Sequence, residues 1–369
     1  MNFPLFLNFH SLLSLLEIIN IKPSNNLEHE TRNTKHEKRN QNLYTKSDWV
    51  HFCNLSENSY FANQHKTDNM KKPALTPDLH LSRIVHGHWR MAEWDMSTQK
   101  LLRLTRECIE LGITSFDHAD IYGNYSCENI FGKVLATDKS LREDIQMISK
   151  CGIKLLSDKF PERKIKHYDY SADYIISSAE QSLSNFNTDY LDLLLLHRPA
   201  PFFDPEEVAM AFSRLKQSGK VRHFGVSNFN PQQLEMLEEY VDQPLVTNQV
   251  EISPVCLEHF DNGNIDYFIK RKMYPMAWSP LGGGKLMNPK NEKEHRLHST
   301  LKEIAGELNV DNIDKIIYSW LLKHPAQILP IVGTGKIDRI KNAVESMEIN
   351  MTLEQWYRIY TASRGEDVP

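Results

Sequence analysis

Residues 191–228 read LDLLLLHRPAPFFDPEEVAMAFSRLKQSGKVRHFGVSN, a stretch that contains one complete strand–helix–strand unit. The run Leu191–Leu196 is almost entirely apolar, as expected for a strand buried on both faces. Asp204–Glu207 (DPEE) predicts a helix start, because it supplies a capping side chain, a proline at the first helical position and acidic residues near the positive end of the helix dipole. Gly219 lies where that helix should end, before a second predicted strand, Val221–Gly225.

The same alternation of strand-length and helix-length segments runs from Leu81 to the C-terminus. The candidate strands are Ser82–His86, Thr114–Phe116, Ile145–Ser149, Leu191–Leu196, Val221–Gly225, Leu245–Asn248, Tyr274–Trp278 and Gln327–Ile331. Eight strands alternating with helices predict an α/β fold of the (β/α)8 TIM-barrel type. A doubly wound sheet is the alternative, but it normally carries GxGxxG after its first strand, and no such motif is present.

The N-terminal part of the chain has a different composition. Residues 22–69 are rich in Asn, His, Lys, Glu and Ser, which predicts disorder because such a segment buries little apolar surface. Met70 precedes Lys-Lys-Pro, and one hypothesis is that translation starts there. Residues 1–21 are apolar but lack the basic residues that open a secretory signal, so no membrane insertion is expected. We predict an N-terminal extension over residues 1–75 and one barrel domain over residues 76–369.

The overall composition narrows the class of protein. The chain has 369 residues, 40% of them hydrophobic and 25% charged, which suits a soluble globular enzyme. Its formal net charge of -5 argues against a nucleic-acid-binding surface. The 5 cysteines form no CxxC pair, which favours reduced thiols, a cytoplasmic location and no metal site.

Polar residues follow several predicted strands, and in a barrel the site lies at the carboxyl ends of the strands. Asp117 and Tyr122 follow the second strand, Lys150 the third and His197 the fourth. A neighbouring ammonium is expected to lower the pKa of a tyrosine phenol, and a carboxylate to hold that ammonium in place. A histidine can hydrogen-bond a carbonyl oxygen and orient it. Together these groups predict a proton donor for hydride addition to a carbonyl, with the hydride supplied by a nicotinamide.

Several motifs in this order resemble those of the aldo-keto reductase superfamily, most closely a bacterial-type oxidoreductase branch described as YdhF-like. The motifs are FDHADIYG (116–123), LLLLHRP (193–199), GVSNF (225–229), TNQVEISP (247–254) and WSPLGGG (278–284). The resemblance implies a (β/α)8 barrel that reversibly reduces an aldehyde or ketone to an alcohol with NADP(H). It implies a catalytic tetrad of Asp117, Tyr122, Lys150 and His197, with Tyr122 as the general acid.

The resemblance also implies contacts to the cofactor. They involve Gly87 and Trp89 after the first strand, Ser227, Asn228 and Gln249 at the nicotinamide carboxamide, Trp278 on the nicotinamide ring, Ser279, Leu281 and Gly283 at the pyrophosphate, and Thr334, Lys336 and Arg339 at the adenosine 2′-phosphate. The family often has Lys at the position of Gly333 and Asn at the position of Ala343, and this sequence has neither. We expect a small-molecule carbonyl substrate. The sequence contains no feature that identifies this substrate or the oligomeric state.

Two alternatives stay open at this point. Some family members are cofactor-binding regulatory or sensor subunits of membrane channels with little turnover. A barrel aldolase or isomerase would instead use Lys150 as a Schiff-base nucleophile.

Residues near the tetrad carry weaker predictions. We interpret His118 and Asp120 as capping or lining the turn before Tyr122. Four residues on early loops are predicted to form an apolar substrate pocket: Trp89, Met91, Trp94 and Tyr125.

Overall fold

Eight parallel strands close into a barrel in the computed structural model, which describes residues 73–369. The strands are β1 (Val85–Gly87), β2 (Ser115–Asp117), β3 (Gln146–Cys151), β4 (Leu191–Leu196), β5 (Val221–Ser227), β6 (Leu245–Glu251), β7 (Met276–Trp278) and β8 (Leu329–Val332). Each strand pairs with the next along the chain, and β8 pairs with β1. The predicted (β/α)8 barrel is confirmed. The predictions for residues 1–69 lie outside the described residues.

Helices connect these strands and surround the barrel. They are α1 (Thr98–Glu110), α2 (Cys127–Thr137), α3 (Ala172–Phe186), α4 (Pro205–Gln217), α5 (Pro231–Glu238), α6 (Asn264–Arg271), α7 (Glu292–Glu307), α8 (Ile313–Lys323), α9 (Ile337–Glu345) and α10 (Leu353–Arg364). Helix α7 is an addition to the loop between β7 and α8, and it packs against the C-terminal helix α10. Shorter helical turns occur at Met91–Glu93, Tyr122–Tyr125, Leu141–Asp144, Glu258–Asp261, Gly282–Gly284 and Ser346–Glu348.

The predicted boundaries of α4 agree with the structure. The Asp204 side chain accepts a hydrogen bond from the Glu206 backbone N–H at 3.0 Å, and Pro205 is the first helical residue. Gly219 follows the helix with φ of 72°, in the left-handed region that glycine tolerates best.

The apolar side chains form two layers. One fills the inside of the barrel and includes Ile148, Leu193, Leu195, Met276 and Ile331. The other lies between the strands and the surrounding helices.

A hairpin of Ala74–Thr76 and Leu79–His80 precedes β1 and spans the predicted boundary at residues 75 and 76. Leu79 of the hairpin and the adjacent Leu81 are buried in the inner layer, so the hairpin packs against the inside of the barrel. A second hairpin, Ile153–Lys154 with His167–Tyr168, lies in the loop after β3.

The ends of several strands differ from the prediction. Strand β1 begins at Val85, because Ser82 and Ser115 exchange side-chain-to-backbone hydrogen bonds of 2.8 and 3.1 Å in place of ladder pairing. Strands β2, β3, β5 and β6 continue further than predicted and include polar residues that end the apolar pattern. As a result Asp117, Lys150 and Gln249 lie within strands.

Candidate active site

Lys150 is fully buried at the carboxyl end of the barrel and connects three neighbouring groups. Its Nζ lies 2.8 Å from both carboxylate oxygens of Asp117, 2.7 Å from the backbone oxygen of His118 and 3.0 Å from the Tyr122 hydroxyl. The ammonium is thus surrounded by acceptors. Because it donates to the phenol oxygen, the hydrogen of the Tyr122 hydroxyl is left for another acceptor.

Burial and charge act in opposite directions on these groups. Burial lowers the pKa of Lys150, but the Asp117 carboxylate and Tyr122 raise it more, so the net direction is upward from 10.5. Burial raises the pKa of the Tyr122 phenol above 10.0, and the Lys150 ammonium opposes that rise without cancelling it. The ammonium lowers the phenol pKa as expected, but desolvation is the larger effect, so the net direction is upward. The structure favours a protonated phenol.

His197 follows β4 and faces Tyr122 with a ring-centroid distance of 5.9 Å. Burial holds the pKa of its imidazole well below 6.5, and the positive charges of Lys150, Arg198 and Lys166 lower it further. The ring is therefore neutral at neutral pH. Its Nδ1 is buried and has no hydrogen-bond partner among residues 73–369.

Four of the predicted nicotinamide-binding residues form one network with Asp117. Gln249 Nε2 donates to Asp117 Oδ1 at 2.8 Å, which links β6 to β2 across the barrel. The Ser227 hydroxyl donates to the Gln249 backbone oxygen at 2.8 Å and accepts from Asn228 Nδ2 at 2.8 Å. Trp278 Nε1 donates to Asn228 Oδ1 at 3.0 Å, which fixes the indole ring.

The turn after Tyr122 has an unusual backbone. Gly123, Asn124 and Tyr125 have φ values of 57°, 53° and 60°, so three consecutive residues lie in the left-handed region. Such conformations are strained for residues other than glycine and persist where neighbouring groups hold them. The Tyr125 hydroxyl accepts hydrogen bonds from the Leu155 backbone at 2.9 Å and from Arg163 Nη1 at 2.7 Å. The loop after β3 is thereby attached to this turn.

The segment predicted to bind the 2′-phosphate lies after β8. Helix α9 begins there without a side-chain cap, so its first backbone N–H groups are open to an anion. Lys336 and Arg339 are exposed and form no ion pair with another described residue. A Cβ on Gly335 would come within 2.8 Å of Trp94, so glycine allows the loop to lie directly on that ring.

The loop predicted to bind the pyrophosphate follows β7. Ser279, Gly282, Gly283 and Gly284 all have positive φ values, of 50°, 60°, 66° and 91°. A Cβ on Gly283 or Gly284 would contact nothing, so this backbone can approach a ligand closely, and Leu281 is half-buried beside it.

Gly87 ends β1 and Trp89 follows it, and these two residues differ in their exposure to solvent. Gly87 is buried, and a Cβ there would lie 2.5 Å from Ile331, so packing alone requires this glycine. Trp89 is 58% exposed, with the Arg90 guanidinium 5.0 Å from its ring centroid. The assignment of both residues to cofactor contacts stays a prediction.

The residues predicted to form an apolar pocket with Trp89 are largely used elsewhere. Met91 is buried in the core, and Trp94 stacks on His86 at a centroid distance of 5.6 Å. The Tyr125 hydroxyl accepts the two hydrogen bonds that attach the loop after β3 to the turn.

Three buried histidines form a chain of contacts that the sequence pattern did not predict. His86 Nε2 lies 2.9 Å from the Thr334 backbone oxygen, His86 Nδ1 lies 3.2 Å from His88 Nε2, and His88 Nδ1 lies 2.8 Å from His118 Nε2. A carbonyl oxygen only accepts, so the first contact assigns the hydrogen to Nε2 of His86, and the same assignment then follows for the other two rings. The His118 backbone oxygen in turn accepts from Lys150. The signal in the sequence was the pair of histidines at positions 86 and 88, at the end of the first strand.

Asp120 is also buried, and its two carboxyl oxygens differ in their contacts. Its Oδ2 accepts from the Ser178 hydroxyl at 3.0 Å, whereas Oδ1 has no partner among the described residues. Burial holds the pKa of this carboxyl well above 3.8, and Glu128 raises it further. Both effects favour the protonated form of the carboxyl.

No helix within residues 73–369 is sufficiently long and apolar to cross a membrane.

Comparison with known proteins identifies the family. Residues 83–364 match the model of the aldo/keto reductase family. The chain is 48% identical over 300 residues to the uncharacterized oxidoreductase YcsN of Bacillus subtilis, covering 81% of this chain and 100% of YcsN. It is 49% identical over 288 residues to the oxidoreductase YdhF of Escherichia coli, covering 78% of this chain and 95% of YdhF.

A solved structure agrees with this assignment. The holo form of the aldo-keto reductase AKR11C1 from Bacillus halodurans matches with a TM-score of 0.66 and 25% sequence identity, covering 81% of this chain and 98% of that one. The fold, the matched family model and the relatives agree, and the chain belongs to the aldo/keto reductase family of oxidoreductases.

Proposed function

We propose that this protein is an NADP(H)-dependent reductase that converts an aldehyde or ketone to an alcohol, in a reversible reaction. The observation that carries the proposal is the contact of 3.0 Å between Lys150 Nζ and the Tyr122 hydroxyl, backed by Asp117 at 2.8 Å. A half-buried phenol held by a buried ion pair is a group arranged for proton transfer.

In the proposed mechanism Tyr122 is the general acid. A substrate carbonyl oxygen accepts the phenol hydrogen, which Lys150 leaves available because it donates to the other side of the same oxygen. As the proton leaves, negative charge develops on the phenol oxygen, and the Lys150 ammonium stabilises it. Asp117 keeps Lys150 in place, and the neutral His197 imidazole donates a hydrogen bond that orients the carbonyl.

The cofactor would lie across the carboxyl ends of the strands. A nicotinamide bound against Trp278 would supply the hydride. Ser227, Asn228 and Gln249 would hold its carboxamide, and the loop with Ser279, Leu281 and Gly283 would hold the pyrophosphate.

NADP(H) is preferred over NAD(H) in this proposal. Thr334, Lys336 and Arg339 would bind the 2′-phosphate, because two exposed cations beside an open helix N-terminus suit a doubly charged anion. Gly87 and Trp89 remain predicted contacts. The proposal includes a cytoplasmic location, supported by four cysteines among the described residues that form no disulfide.

Replacement of the phenol hydroxyl tests the mechanism. Tyr122→Phe should lower kcat for aldehyde reduction by about 100- to 10,000-fold, the range that general acid catalysis contributes. NADPH binding, followed by quenching of tryptophan fluorescence, should be retained. Tyr357→Phe, on the exposed face of α10, is the matched control and should behave as wild type.

The same assays separate the alternatives. Substantial turnover by Tyr122→Phe would exclude Tyr122 as the proton donor. Wild-type protein that binds NADPH but reduces no carbonyl would favour a sensor or channel-subunit function. A borohydride-trapped substrate adduct on Lys150 would favour the aldolase alternative.

A further inference from the structure

Arg198 follows His197 directly, and its backbone is held in place by one buried hydroxyl. The Tyr170 hydroxyl donates to the Arg198 backbone oxygen at 2.5 Å and accepts from the Arg198 backbone N–H at 3.1 Å. Gly152, with φ of 109°, makes room for the Tyr170 ring, because a Cβ at that position would overlap it. The chain therefore fixes the origin of the Arg198 side chain next to the imidazole expected to orient the substrate.

The guanidinium of Arg198 makes no close contact with a carboxylate of residues 73–369. It is half-buried and lies 5.5 Å from the centroid of the Trp278 ring. Among residues 73–369 it forms no ion pair and no side-chain hydrogen bond. A partly buried guanidinium has five donors and is usually paired, so an unpaired one beside a reaction centre is suited to an anionic ligand.

The charges around this position have one dominant sign. The positive charges of Arg198 and Lys166 both act on His197. Glu251 is the carboxylate that interacts with Arg198, and Lys285 acts on it more strongly than Arg198 does. The charges that act on His197 are therefore positive, within a chain whose formal net charge is -5. Such a local field favours an anionic substrate.

We propose that Arg198 selects carbonyl substrates that carry a carboxylate or a phosphate a few bonds from the reacting carbon. The inference rests on the proposed reductase function. His197 and Tyr122 would hold the carbonyl oxygen, and the adjacent guanidinium would bind two oxygens of the anionic group. Trp278 would keep the guanidinium over its ring by a cation–π contact.

Two matched pairs of aldehydes test this specificity. Butanal is compared with 4-oxobutanoate, and D-glyceraldehyde with its 3-phosphate, by the NADPH consumption of the full-length protein. Wild type should show the higher kcat/KM for an anionic member. Arg198→Gln should lower that value about 10- to 100-fold, the worth of a charge-assisted hydrogen bond, and leave the neutral aldehydes within about twofold. Arg198→Lys should recover part of the loss. Arg214→Gln, exposed on α4, is the control.

Each outcome bears on the inference. A preference for 4-oxobutanoate alone identifies a carboxylate substrate, and one for glyceraldehyde 3-phosphate alone identifies a phosphate. Equal losses for neutral and anionic aldehydes in Arg198→Gln, or weaker NADPH binding by that variant, would overturn it. Wild-type reduction of the neutral aldehydes without preference for either anion would also overturn it while leaving the reductase function intact. NADPH binding without reduction of any of the four would contradict the proposed function, and the inference with it.

Discussion

The chain of His86, His88 and His118 should make the barrel sensitive to mild acid. All three rings are buried, and burial lowers the pKa of each, in the case of His86 from 6.5 to about 4. The unfolded chain takes up protons near pH 6.5, whereas the folded chain does not do so until the pH is much lower. The stability that these neutral rings contribute is therefore complete above pH 6.5 and is lost as the pH falls from there toward 4.

The size of the effect follows from the His86 values. With a pKa of 6.5 in the unfolded state and about 4 in the folded state, one ring lowers the free energy of unfolding by about 2 kcal/mol between pH 7 and pH 5. Between pH 6 and pH 5 the slope is about 1 kcal/mol per pH unit for this single group. Carboxylates with ordinary pKa values titrate mainly below that window, whereas the ordinary pKa of histidine lies close to it.

Urea denaturation at pH 7, 6 and 5, followed by tryptophan fluorescence, measures this slope. His86→Gln keeps an amide donor for the Thr334 oxygen and cannot take up a proton, so its slope between pH 6 and 5 should be smaller by about 1 kcal/mol per pH unit. The comparison uses slopes, because the substitution also changes stability at neutral pH. His295→Gln, at an exposed position on α7, should leave the slope unchanged. Equal slopes for wild type and His86→Gln would refute the reasoning.

Two further substitutions test other parts of the structure. Arg339→Ala should weaken NADPH binding about tenfold and leave NADH binding unchanged, because it removes one charge-assisted contact to the 2′-phosphate; a fluorescence titration that finds the same NADPH affinity would contradict this. Gly152→Ala places a Cβ against the Tyr170 ring at a φ of 109°, so the free energy of unfolding in urea should fall by about 1 to 3 kcal/mol, and an unchanged midpoint would be inconsistent with that contact.

The sequence was sufficient for the architecture but not for the ends of the strands. Buried parallel strands produce apolar runs, and signals such as Asp204 and Gly219 separate those runs from the helices. Strands β2 and β3 nevertheless continue into Asp117 and Lys150, because backbone pairing in a closed barrel does not depend on the polarity of the side chains. A prediction based on hydrophobicity therefore ends each of these strands before the polar residues of the site.

The contacts within the site were harder to predict than its members. The four residues predicted as a tetrad lie together in the structure, but the motifs do not indicate that Gln249 donates to Asp117, 132 residues away. The contact between His86 and Thr334 spans 248 residues. Such contacts depend on which side chains the closed barrel brings together. His118 was interpreted as part of a turn for the same reason, since its partner His88 is distant in sequence.

The division between strands and loops at this site has an evolutionary consequence. Asp117, Lys150 and Gln249 are bonded to one another from within strands, whereas Trp89 and Phe202 are 58% and 94% exposed on the loops that follow β1 and β4. Loops tolerate replacement and insertion far better than barrel strands do. Descendants of this gene can therefore change these loop residues while the bonded strand residues Asp117, Lys150 and Gln249 stay in place.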